Sequence, residues 1–297
     1  MKLLTFKEND KLRLGVKTDK GVLYVKRAAE SFNVEAPKTI EAVFNGGKEA
    51  LAALAALVKQ ALESGNDALF LDEESLKIGP AVPNPGKIIC VGLNYKKHAE
   101  ESNMPIPKFP VLFNKFGNSI AAHQDEIKLH WDSNENDYEA ELAIVIGKEA
   151  KDVSKEEALD YVFGYCNAND LSCRDLQFRT GQWLLGKALD GYCPVGPYVV
   201  TSDEVGDPHN LTIKAIVNGE VRQNSNTGDM IFKCDEIVSY ISKYVTLQPG
   251  DLILTGTPEG VAMGYPEDVR QQYYLKAGDE VTIEIEKLGR LTNTFKA

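Results

Sequence analysis

The chain has 297 residues, enough for one large domain or two ordinary ones, and its 43% hydrophobic and 8% aromatic content is that of a soluble globular protein. A formal charge of −11 excludes nucleic acid, whose phosphates need a basic footprint, and no apolar run reaches the roughly 20 residues that span a bilayer. The five scattered cysteines form no C-x-x-C pair, arguing against a disulfide framework or a zinc site, and the N-terminus turns polar too soon for a signal peptide, so a reduced, cytoplasmic protein is expected.

In chain order, "KLLTFKE", "LRLGVKT" and "GVLYVKR" read as short strands and Thr39 to Glu63 as a helix, together a small α+β unit over residues 1–80. "IGPAVPNPGK", with three prolines and two glycines, reads as a linker. Residues 84–297 then carry the strand-like runs "KIICVG", "LAIVIG", "YVFGYCN", "PYVVT", "LTIKAIVNG", "DLILTG" and "VTIEIEKLG". Two helices stand out among them, "SKEEALDYVF", with Ser154 and Glu157 spaced as a capping box, and "CDEIVSYISKYV". Strands outnumber helices and do not alternate with them, which predicts a mainly β, barrel-like second domain with some α/β elements rather than a doubly wound sheet.

The strand "DYEAELAIVIG" raises a question of chemistry. Its two faces read Glu139, Glu141, Ala143, Val145 and Tyr138, Ala140, Leu142, Ile144, Ile146. Two carboxylates side by side repel, so the pair needs a cation, a shared proton or open water. "YVFGYCNANDLSCRD" ends a second strand at Asp170, and three carboxylates with no thiolate form an oxygen-only set that suits a hard divalent cation. An exposed strand edge with ordinary charges explains the same spacing. In "VGLNYKKHAEE", His98 and Glu101 stand at helical i, i+3 spacing, where a carboxylate can orient an imidazole. "LLGKALDGYCPVGP" places Lys187 and Asp190 in a turn-rich segment, as anion contacts or as a mere ion pair. "DLILTGTPEGVAMG" is a buried strand followed by a loop able to offer the Gly256 and Thr257 amides to a carboxylate; without G-K-[ST] it is no P-loop.

Taken in register, "VGLNYKKHAEE", "DYEAELAIVIGK", "GYCNANDLSCRDLQ", "GKALDGYCPVGP", "RQNSNTGDMIF" and "LQPGDLILTGTPEGVAMG" resemble the fumarylacetoacetate hydrolase family over about residues 84 to 290. The resemblance implies a mixed β-roll behind a small N-terminal domain, paired into a homodimer. It implies Mg²⁺ or Mn²⁺, with Ca²⁺ also admissible, on Glu139, Glu141 and Asp170. His98, Glu101 and Lys187 are then the catalytic candidates, the first two on a lid over about Lys96–Pro110, and Thr257, Gly256, Gln177 and Asp190 the substrate-binding candidates. Ala188–Leu189 and Gly191–Tyr192 depart from pairs the family often carries. The implied chemistry is C–C cleavage in a 2-oxo acid, by an acylpyruvate hydrolase or an oxaloacetate decarboxylase, through an enolate that the cation stabilises. An isomerase or hydratase of dienoate acids is the alternative, and a non-catalytic binding protein the alternative of another class.

Overall fold

The computed structural model of the protein describes residues 1–297. The first segment forms β1 (Lys2–Glu8), β2 (Lys11–Thr18), β3 (Gly21–Tyr24), α1 (Val25–Phe32), α2 (Ile40–Glu63) and β4 (Phe70–Leu71). Then come β5 (Ile88–Gly92), α3 (Lys96–Glu101), β6 (Val111–Lys115), β7 (Ile120–Ala121), β8 (Glu126–Lys128), β9 (Asn136–Asp137) and β10 (Ala140–Ile146). They are followed by β11 (Val162–Asn169), β12 (Ser172–Cys173), α4 (Arg174–Gln177), α5 (Leu184–Lys187), β13 (Cys193–Thr201) and α6 (Ser202–Val205). Finally come β14 (Thr212–Val217), β15 (Glu220–Asn226), α7 (Cys234–Tyr244), β16 (Leu252–Leu254), β17 (Glu280–Ile285) and β18 (Gly289–Lys296). No helix is long and apolar enough to cross a membrane.

Strands from both segments share one mixed sheet, ordered β4-β3-β2-β1-β13-β11-β10-β16-β5-β6, with β7 alongside β13. The seam is β1, where Lys2 pairs with Val200 and Leu3 with Val199 of β13. A second sheet, β15-β14-β17-β18-β8, packs against β10, β11 and β13. The mixed roll preceded by a small α+β domain is the architecture the sequence predicts. Strand β10 is buried along its whole length. Tyr138, Ala140, Leu142, Ile144 and Ile146 join the core that contains Ile237 and Ile241 of α7, whereas Ala143 and Val145 join the core built with Phe44 and Leu54 of α2.

Two expectations need correction, and a third, the helix over Thr39–Glu63, holds with one refinement. The predicted helix over "SKEEALDYVF" is only a 3₁₀ turn at Ala158–Tyr161, because Val162 and Phe163 already belong to β11. Ser154 Oγ donates to the Glu157 carboxylate at 2.7 Å, so this pair forms without a helix. The helix over Thr39–Glu63 is kinked at Gly47, whose φ of 51° favours glycine. The Ile78–Lys87 segment is no free linker: the Gly79 amide donates to Thr5 O at 2.8 Å, and Ala81 and Val82 are buried.

Asn167 of β11 ties the two sheets together. Its Nδ2 donates to Gly196 O and Leu288 O, both at 3.1 Å, and its Oδ1 accepts from the Ile285 amide at 3.0 Å. Asn167→Ala strands these buried groups and should lower unfolding stability by about 3 kcal/mol in urea titrations, since each unsatisfied group costs about 1–3 kcal/mol. An unchanged midpoint would show that this tie contributes nothing.

Candidate active site

Period-two geometry sends Glu139 and Glu141 to one side of β10, and the antiparallel partner β11 brings Asp170 beside them. The Asp170 amide donates to Glu139 O at 3.0 Å. One oxygen of each carboxylate lies within 4.8 Å of the others, and none of the three residues is more than 4% exposed. The exposed-edge explanation of the E-x-E spacing therefore fails.

Buried cations surround this triad. Lys187, at the end of α5, places Nζ 2.8 Å from Glu139 Oε2 and 2.9 Å from Asp170 Oδ2. Arg174, opening α4, donates from Nη2 to Glu139 Oε1 at 2.6 Å, from Nε to Asp137 Oδ2 at 2.9 Å and from Nη1 to Gln177 Oε1 at 2.9 Å. Lys115, ending β6, lies 2.7 Å from Asp170 Oδ1. Its ammonium donates to Leu171 O, Lys187 O and Tyr192 O, so it meets Asp170 Oδ1 as a charge only, and that oxygen accepts no hydrogen bond. Burial opposes ionisation of Glu139, but Lys187 and Arg174 outweigh it and hold the carboxyl well below its usual range. Burial likewise opposes the charge on Lys187, yet Asp170 and Glu139 keep its ammonium above its ordinary value.

Glu141 is the exception. Burial, then Asp170 and Glu139, push its carboxyl well above the usual range. Four buried carboxylates, Asp137 included, face only three buried cations. An all-oxygen donor set with net negative charge and a buried carboxylate oxygen lacking a hydrogen bond fits a divalent cation such as Mg²⁺ or Mn²⁺. Glu139, Glu141 and Asp170 are the residues that would hold it.

The dyad stands across the same cavity, which has a volume of about 360 Å³. Leu93, at φ 54°, turns the chain sharply after β5. Asn94 then pins the turn: its Nδ2 donates to Thr255 O at 2.7 Å, and its Oδ1 accepts from the Phe232 amide at 2.8 Å. From this base α3 presents His98, whose Nδ1 lies 2.8 Å from Glu101 Oε1, while Glu101 Oε2 accepts from the Gly260 amide at 3.0 Å. Ser102, Asn103 and Met104, from the segment read as a lid, line the cavity with them.

The remaining candidates separate. Thr257 lines the cavity, and its Oγ1 accepts from Gln223 Nε2 at 2.9 Å, leaving its own proton free to donate. Gln177 lines it too, with Oε1 engaged by Arg174 and Nε2 unpartnered. The Gly256 amide is committed within the protein, donating to Glu141 Oε2 at 2.7 Å and so positioning that carboxylate. Its φ is 97°, and a Cβ there would sit 2.7 Å from Asn94 Cβ. Asp190 is exposed, outside the cavity, and accepts from Asn118 Nδ2 at 2.6 Å; it pairs with no lysine. Sequence reasoning missed Asp137, Lys115 and Arg174. Asp137 accepts from the Ala262 and Met263 amides as well as Arg174, and so fixes the loop after β16. The available signals were that Asp137 opens the same acidic run as Glu139 and that Arg174 stands three residues before Gln177.

The model of the fumarylacetoacetate hydrolase C-terminal family matches residues 87–296. The chain belongs to the fumarylacetoacetate hydrolase family. A relative in Xenopus laevis named as a mitochondrial oxaloacetate tautomerase is 47% identical over 237 residues, covering 79% of this chain and 72% of that protein. The solved fumarylacetoacetate hydrolase of the psychrophile Exiguobacterium antarcticum superposes with a TM-score of 0.81 at 33% identity, over 100% of this chain and 99% of that one. A fumarylpyruvate hydrolase from Pseudomonas aeruginosa, solved with Mn²⁺ and pyruvate, superposes with a TM-score of 0.65 at 33% identity, over 74% of this chain and 91% of that one. This fumarylacetoacetate hydrolase family enzyme thus carries its acidic triad in a setting suited to a divalent cation.

Calorimetric titration with Mg²⁺ or Mn²⁺ should reveal one site with protons released on binding, because the cation must displace the proton that burial and its neighbours hold on Glu141. Affinity should therefore rise with pH from the ordinary carboxylate range upward and weaken on acidification. Undiminished affinity in Glu141→Ala would refute the assignment.

Proposed function

We propose that the protein interconverts the enol and keto forms of a small 2-oxo acid of the oxaloacetate type, using a divalent cation held by Glu139, Glu141 and Asp170. The cation, when bound, supplies Lewis acidity toward the oxo and carboxylate oxygens. The chain's own groups account for the proton movements. His98 Nδ1 donates to Glu101, which leaves the Nε2 lone pair facing the cavity as the base. Nε2 takes the proton from the carbon beside the oxo group, and the C–H electron pair becomes the C=C bond of the enol. The oxo oxygen receives a proton from the Lys187 ammonium, whose third N–H is not engaged by Glu139 or Asp170. Solvent then returns a proton to Lys187 and removes one from His98, and the reverse sequence restores the keto form. Thr257 Oγ1–H and Gln177 Nε2 are the free donors for the substrate carboxylate.

The observation that carries this reading is the double engagement of Glu101. One oxygen orients His98 and the other is held by Gly260, so the dyad presents a single proton-transfer atom rather than two bases around a water. The tautomerase name of the 47%-identical relative supports it. Cleavage of an acylpyruvate or decarboxylation of oxaloacetate is the second reading, favoured by the hydrolase solved with Mn²⁺ and pyruvate.

The two are separated by following oxaloacetate enol absorbance and pyruvate release together, with Mg²⁺ present. Enol loss should outrun pyruvate formation, and His98→Gln should slow it by about 10²–10⁴-fold, the contribution typical of a general base. Pyruvate appearing one-for-one with enol loss would overturn tautomerisation in favour of cleavage. A homodimer is proposed with this reading, on the family resemblance. Light scattering should then give twice the chain mass of 32.7 kDa, and a monomer at micromolar concentration would contradict it.

A further inference from the structure

Three strong cations line the cavity: Arg174, Lys187 and Arg270. The first two are committed to the carboxylate lattice. The third is not. The Arg270 side chain makes no hydrogen bond, has no carboxylate within 4.0 Å, and keeps its Nε buried without a partner. A guanidinium without a partner in the protein is open to an anion in the cavity it lines.

The loop that carries Arg270 is built to hold it in place. The Arg270 amide donates to Pro266 O at 2.8 Å, and Arg270 O accepts from the Tyr273 amide at 2.9 Å. Tyr265 and Tyr273 stack across the base of the loop, and Arg222 lies over Tyr273 and donates to Tyr273 O at 3.0 Å. The Leu275 amide donates to Asn136 O at 2.7 Å, joining the loop to β9 next to Asp137, the carboxylate that holds Arg174. Glu135 shares this wall, but it lies beyond ion-pair distance of Arg270. Burial, then Asp175, push the Glu135 carboxyl upward, while Arg270 acts on it in the opposite sense from across the wall.

We infer that Arg270 is a specificity-determining residue that takes the second carboxylate of a dicarboxylic 2-oxo acid, the one remote from the oxo group. This rests on the reading of the cavity as a 2-oxo acid site. A planar guanidinium matches a carboxylate bidentately, and the small cavity places both ends of a short dicarboxylate against fixed charges.

The test compares oxaloacetate with acetylpyruvate, which lacks the second carboxylate, on the Mg²⁺-loaded protein and its Arg270→Gln and Arg270→Lys variants. Arg270→Gln should raise KM for oxaloacetate about 10- to 100-fold, the loss of a charge-assisted contact, with kcat little changed. Acetylpyruvate kinetics should not move, and Arg270→Lys should recover part of the loss. An unchanged KM for oxaloacetate, or equal losses on both substrates, overturns the assignment. Calorimetry with the unreactive pair L-malate and 2-hydroxybutanoate reads the same preference without turnover. Loss of the malate preference in Arg270→Gln supports the role of Arg270, and an unaltered preference overturns it. A wild-type protein that keeps the malate preference but turns over neither substrate refutes the proposed reaction and leaves the role of Arg270 standing.

Discussion

The site depends on one buried lattice of opposite charges. Asp137, Glu139 and Asp170 are held by Arg174, Lys187 and Lys115, each at most 4% exposed. Taking so many charges out of water is costly, and only dense mutual pairing offsets it. The lattice therefore locks β6, the strand entering β10, the end of β11, α4 and α5 in one arrangement, since no member can move without leaving a partner unpaired. Removing one partner of a buried pair costs about 3–5 kcal/mol. Loss of Arg174 would accordingly disturb the frame of the site before it touched any substrate.

Much of this was legible in the sequence where local periodicity governs. The period of two put Glu139 and Glu141 on the face of Ala143 and Val145, and the two cores divide β10 along that line. Helical spacing put His98 beside Glu101. What periodicity does not encode is which distant charge closes the lattice. Lys115 ends β6, 55 residues before Asp170 in sequence, and nothing local in either segment announces that the two meet. Arg174 stood unremarked in a quoted motif because its three partners come from β9, the residue before β10 and its own helix. A glycine loop after a strand looks like a source of free amides for a substrate, but the Gly256 amide finds its acceptor inside the protein, at Glu141. The prolines around Ile78–Lys87 signalled the end of regular structure, which they are, and said nothing about whether the segment packs.

The catalytic half of the cavity is general in character. An acidic triad, one lysine and one carboxylate-oriented imidazole are groups that several reactions can use, and one fold commonly hosts more than one chemistry. The rest of the lining, which includes Met104, Phe178, Trp183, Met263, Tyr274 and Arg270, differs from that half in being mostly apolar. The segment from α3 onward contributes His98, Glu101, Ser102, Asn103 and Met104 to the cavity lining.

The seam between β1 and β13 also bears on how the molecule is made. Lys2 and Leu3 find their partners at Val200 and Val199, so β1, once made, cannot complete its pairing until nearly two hundred further residues have followed. Until then β1 is an edge with open amides and carbonyls, a template for pairing with other nascent chains. A closure spanning that much sequence is slow, as non-local strand pairing generally is. The N-terminal segment is therefore tied to the catalytic roll in time as well as in space: β1 gains its second neighbour only when β13 arrives.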